Sequence, residues 1–103
     1  MSNESERESL SAWRARINDV DARILELLNE RTRIVEEIGR IKQNLNLPVY
    51  EPKREDEVYA NVIGRNRGPL PSDAVKRVFE RIIDEMRALQ RMRRSAAPDS
   101  DAN

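Results

Sequence analysis

Apolar residues recur at Leu10, Trp13, Ile17, Val20, Ile24, Leu27, Ile34, Ile38, Ile41 and Leu45, mostly in steps of three and four that mark one face of an α-helix. No Pro and a single Gly interrupt the stretch from Leu10 to Asn44. About 35 residues at 1.5 Å rise predict a helix of about 50 Å. A globule of 103 residues is narrower than that, so the helix needs a partner along its length. Asn44-Leu-Asn-Leu-Pro48 reads as the loop that ends it. Pro52, with its fixed φ and missing N–H, suits the first turn of a second helix running to about Gly64. Gly68-Pro69-Leu70-Pro71 forms a stiff connection. Ser72 fits an N-cap ahead of a third helix with apolar positions Val75, Val78, Phe79, Ile82, Ile83, Met86 and Leu89. The polar start, residues 1–9, and the end, residues 95–103, read as disordered tails around one domain at 10–94. The predicted class is all-α, a three-helix chain with a very long first helix.

Charge and composition narrow the chemistry. Lys plus Arg and Asp plus Glu balance at 19 each, so no net field gathers nucleic acid or an anionic membrane surface. Neither is expected as a partner. There is no Cys and no His, which removes disulfides, thiol nucleophiles, the usual zinc sites and imidazole bases; no metal or cofactor is expected. The N-terminus lacks an apolar signal region and no apolar run approaches spanning length, so the expected location is cytoplasmic.

Several polar residues stand where the pattern asks for apolar ones. Arg31 continues Ile17, Ile24 and Ile38 at seven-residue spacing. A guanidinium on that face calls for an anion, either a structural carboxylate or a bound ligand. Lys42, eleven residues on, returns to almost the same face about 16 Å along the axis; it either joins Arg31 around a small dianion or is a solvated cation at the helix C-terminus. Gln90 lies four after Met86 and seven after Ile83, placing a neutral amide on the apolar face or at a frayed helix end. Glu55 shares a face with Val58, Tyr59 and Val62, although an acid in a first turn also suits the helix dipole. Cations and neutral hydrogen-bonders without a nucleophile suit anion binding. They also suit a unimolecular reaction that needs restraint and electrostatic stabilisation.

The motifs occur in a recognisable order: Leu10-x-x-Trp13-Arg14-x-x-Ile17 with Asp21, Leu27-Leu28-Asn29-Glu30-Arg31, Ile38-Gly39-Arg40-Ile41-Lys42, Pro48-Val49-Tyr50-Glu51-Pro52-x-Arg54-Glu55, Gly68-Pro69-Leu70, and Val78-Phe79-x-x-Ile82-Ile83 ending in Gln90. From about Leu10 to Arg91 this set resembles the AroQ-type, all-helical chorismate mutases. The resemblance implies an intertwined homodimer forming a six-helix bundle, with two active sites each built from both subunits, that rearranges chorismate to prephenate in aromatic amino acid biosynthesis. Arg31 and Arg14 of the partner subunit would bind the two substrate carboxylates, and Lys42 with Gln90 would bracket the ether oxygen. Glu55 would hold the substrate hydroxyl, while Arg54 and Glu51 would line the entrance or order the ring-side carboxylate. Met86 stands where some relatives have a small hydroxyl residue that touches substrate, and Glu51 where others have aspartate. Arg14 and Arg31, about 25 Å and about 100° apart on one helix, could hardly clamp one small ligand from a single chain. From the length of the sequence, no fused dehydratase or dehydrogenase is expected. The alternatives are an isochorismate pyruvate lyase of the same fold and a non-catalytic regulatory helical dimer.

Overall fold

The computed structural model describes residues 2–96. They form three helices: α1 (Ser2–Asn44), α2 (Pro52–Arg65) and α3 (Ser72–Ala96). No strand occurs among the described residues, and no helix among them is long and apolar enough to cross a membrane. The all-α class and the long first helix are as the periodicity required.

The start of α1 departs from the expected tail. Residues 2–9 are helical, because Glu4, Glu6, Arg7 and Glu8 are good helix formers uninterrupted by Gly or Pro, and Glu4 lies in the first turn, where the helix dipole favours an acid. At the other end α3 runs to Ala96, two residues into the stretch read as a tail. The rest of that stretch, 97–103, lies outside the described residues.

The end of α1 is closed by its own backbone. Asn46 takes the left-handed conformation, φ 58°, and its N–H bonds Gln43 O at 3.2 Å, while Leu47 N–H bonds Lys42 O at 2.7 Å. This crossed pair is the Schellman closure, with Asn in place of the more usual Gly. α2 starts from Glu51, whose carbonyl accepts Glu55 N–H at 3.1 Å, with Pro52 at the first helical position. It ends at Arg65, one residue past Gly64. Asn66 then staples the connection: its amide donates to Leu70 O at 2.7 Å and its side-chain oxygen accepts Gly68 N–H at 3.0 Å. Gly68 has φ 73°, which a residue with a Cβ rarely adopts. Val75 N–H bonds Pro71 O, so Ser72 is the first helical residue rather than the cap; Pro71 holds the cap position.

The chain divides into two units, Met1–Ile34 and Val35–Asn103. The first is helix alone, and Leu10, Trp13, Ile17, Val20, Ile24, Leu27 and Ile34 are all more than two-fifths exposed. In the second, α2 packs on α3 around Val75, Ile83 and Met86, the buried apolar side chains among the described residues. Their spacing of eight and three is one helical stripe.

Candidate active site

The end of α1 folds back over one lysine. Lys42, 8% exposed, is the buried charged residue of the described chain. Its Nζ donates to Val49 O at 3.0 Å and meets Glu51 Oε1 at 2.7 Å, while its own carbonyl is taken by Leu47 N–H. The Schellman closure therefore brings the 45–51 loop around the side chain. An ammonium has three N–H donors, and two are used, so one remains to act on a ligand.

Glu51 and Glu55 are four residues apart at the start of α2 and so share a face. A cation from a different helix takes each one: Lys42 of α1 takes Glu51, and Arg87 of α3 takes Glu55. The second pair is two-pronged, Nε to Oε2 at 3.1 Å and Nη2 to Oε1 at 2.5 Å. Its side chains are 20% and 18% exposed. The Arg87 guanidinium also lies over the Tyr50 ring, 4.9 Å from its centroid, and 3.5 Å from Asp84. Its hydrogen bond to Glu55 raises the Arg87 pKa further above an already high value, against the opposing effect of burial. On the same turn of α3, Met86 is buried. Gln90, four residues on, donates from Nε2 to Val35 O at 3.3 Å, so its amide is held against α1 and not frayed into water. One further N–H of that amide is available.

Tyr59, on the α2 face that carries Glu55, has its pKa raised above 10.0, first by desolvation and then by Glu55, Glu80 and Asp84. A hollow of about 220 Å³ is lined by Glu36, Gly39, Arg40, Gln43, Gln90, Arg93 and Arg94. Gln90 reaches it, while Lys42, Glu51 and Glu55 do not line it.

Of the residues singled out from the sequence, the structure pairs Lys42 with Glu51, gives Glu55 to Arg87, buries Met86 and holds Gln90 on Val35 O, all within the unit beginning at Val35. Arg54 does not join them: it is exposed and its Nη1 lies 3.4 Å from Glu57 on its own helix. Arg40 pairs with Glu37 on the surface. In the first unit, Arg14 is exposed and Arg31 half-buried, and their separation along α1 is the about 25 Å that helical rise requires. Arg87 was not singled out. It lies four after Ile83 and eight after Phe79, at the edge of the apolar face, so the rule that picked out Arg31 applies to it as well.

Residues 13–91 match the family described as "Chorismate mutase type II". The chain belongs to the chorismate mutase type II family. It is similar to the bifunctional chorismate mutase/prephenate dehydratase of Aquifex aeolicus, 34% identical over 88 residues that cover 82% of this chain and 24% of that one. It is similar also to the chorismate mutase of Methanocaldococcus jannaschii, 28% identical, covering 82% of this chain and 86% of that one. Among solved structures it resembles chorismate mutase (form II) of Thermus thermophilus, with a TM-score of 0.78 and 39% identity, covering 80% of this chain and 93% of that one. The chain thus spans about a quarter of the length of a bifunctional relative and most of the length of a chorismate mutase from this family.

Proposed function

We propose that this chain is a chorismate mutase, an isomerase that rearranges chorismate to prephenate as a cytoplasmic homodimer. The observation that carries the proposal is Lys42: a buried ammonium, fixed by Val49 O and Glu51, with one N–H left over. In this rearrangement negative charge develops on the ether oxygen as its bond breaks. A donor already fixed in a desolvated place favours that state over the ground state, which is the condition for raising the rate. Gln90 supplies a second, uncharged donor. Arg31 and Arg14 of the partner subunit take the two carboxylates, and Glu55 takes the ring hydroxyl. Glu51 acts through Lys42, and Arg54 stands at the rim. Holding the enolpyruvyl arm over the ring supplies the orientational part of the acceleration. No covalent step or cofactor enters.

The dimer is supported by the first unit. The large apolar side chains of the seam from Leu10 to Ile34 lie exposed on helix alone, a patch that a soluble chain covers with a partner. A second copy also resolves the distance between Arg14 and Arg31. The deciding experiment follows chorismate absorbance with purified protein and detects prephenate after acid conversion to phenylpyruvate. Rapid loss with that product is expected. A folded dimer that leaves chorismate untouched, or that releases pyruvate from isochorismate, refutes the proposal. Mixed Arg14→Ala and Arg31→Ala chains should recover part of the activity in heterodimers; none recovered would rule out shared sites.

A further inference from the structure

Among the ion pairs of the described residues, Arg87–Glu55 is the one in which both side chains are at most 20% exposed. Its geometry is also the most constrained. Two nitrogens of one guanidinium meet both oxygens of one carboxylate, across helices and 32 residues of sequence. The Tyr50 ring covers the guanidinium at 4.9 Å, and Asp84 sits 3.5 Å from Nη1. A planar fork between two flat groups fixes the plane of the carboxylate as well as its position. Each Glu55 oxygen gives one acceptor direction to Arg87 and keeps another.

We propose that Arg87 is a positioning residue that sets specificity: it orients the Glu55 carboxylate so that its remaining acceptor directions select a substrate carrying the ring hydroxyl. The inference rests on the mutase reading above. Arg87 does not itself touch substrate; it fixes the angle at which Glu55 accepts. Lysine cannot do this, because a single ammonium can satisfy one oxygen and leaves the carboxylate free to turn. A mere tether between α2 and α3 would affect every substrate alike.

The test compares chorismate with its analogue lacking the ring hydroxyl, in wild type, Arg87→Met, Arg87→Lys, Glu55→Gln and the double variant Arg87→Met/Glu55→Gln. Wild type should favour the hydroxylated substrate in kcat/KM by about tenfold or more, as expected for a hydrogen bond to a charged acceptor. Arg87→Met and Arg87→Lys should each lose most of that preference, through a rise in KM for chorismate with kcat less affected. The double variant should discriminate no worse than Glu55→Gln alone, since both changes act on one contact. Arg87→Lys keeps charge and stem, so it carries the comparison if Arg87→Met does not fold. Equal losses on both substrates, or full preference in Arg87→Lys, would overturn the proposal while leaving the mutase reading intact. A wild type inactive on chorismate would overturn both.

Discussion

Replacing Lys42 by Met keeps the apolar stem and roughly the volume while removing the ammonium. Two native contacts go with it, to Val49 O at 3.0 Å and to Glu51 at 2.7 Å. A hydrogen bond involving a charged group contributes about 1.5–3 kcal/mol. Glu51, however, is 42% exposed on its side chain and recovers water when its partner leaves, so its share is discounted. The expected cost to folding is then about 1–3 kcal/mol. Loss of one pre-aimed donor at a developing oxyanion costs about 3–4 kcal/mol in the transition state, a fall in kcat of about 10²–10³. The catalytic term is the larger and appears in a different observable. Denaturant midpoints report the first, and initial rates on chorismate, at a temperature where the variant is fully folded by circular dichroism, report the second. Turnover within about threefold of wild type in folded Lys42→Met would remove Lys42 from the chemistry. A fall that merely tracked the unfolded fraction would make its role structural.

Gly39→Ala should raise stability by about 0.5–1 kcal/mol, since a mid-helix Gly is costly and the three atoms nearest the new Cβ, all of Gln90, lie at an ordinary contact distance of 3.5–3.8 Å; a lower thermal midpoint would mean that another chain packs there. Met86→Ser should lower stability by about 2–5 kcal/mol in urea unfolding, because Met86 is one of the three buried apolar side chains among the described residues; no loss would show that this core is not the one that matters. Tyr59 has a raised folded pKa, so folding binds the phenol proton more tightly than the unfolded chain does. Its contribution to stability is therefore complete below about pH 10 and is lost as pH rises through the folded value. Wild type minus Tyr59→Phe stability should be flat to about pH 10 and fall above it, and the matching difference in tyrosinate absorbance should show a midpoint above 10; a midpoint at or below 10 would refute the shift.

Most of the architecture could be read from periodicity. The seam from Leu10 to Ile41 specified α1, and Pro52 and the expected cap Ser72 placed the starts of the two later helices within a residue. The first turns of α1 could not be read, because Asn3 to Ser9 form helix by propensity and charge without an apolar stripe. Lys42 stood out by its angle relative to Arg31. Its burial did not, since that depends on Asn46 accepting a left-handed φ and on backbone bonds that swing the 45–51 loop over the amine. Gln90 looked like a fraying end because its acceptor, Val35 O, lies on another helix. Arg87 was not singled out, and its partner could not have been: Glu55 is set by how α2 packs on α3, and no local pattern encodes that. Arg54, next to Glu55 in sequence, was grouped with it by motif, but the turn of α2 directs it to Glu57.

The balance of charge divides the work between these residues. In the unit from Val35 onward, Lys42 is matched by Glu51 and Arg87 by Glu55 and Asp84, two cations against three carboxylates. A substrate with two carboxylates gains little net Coulomb attraction from such a set. Its binding must rest on cations outside it, which is the role proposed for Arg31 and for Arg14 of the partner subunit. Those charges act on carboxylates present in ground and transition state alike, so their removal should raise KM more than it lowers kcat. In the proposed mechanism the spare N–H of Lys42 addresses an oxygen that becomes charged only as its bond breaks, so its removal should lower kcat. Arg31→Ala and Lys42→Met are therefore expected to separate along these two parameters. If Lys42→Met raised KM as much as Arg31→Ala, the paired carboxylates would not be neutralising the cluster, and Lys42 would be binding charge as well as stabilising it; if Arg31→Ala fell in kcat alone, Arg31 would not be a ground-state carboxylate binder.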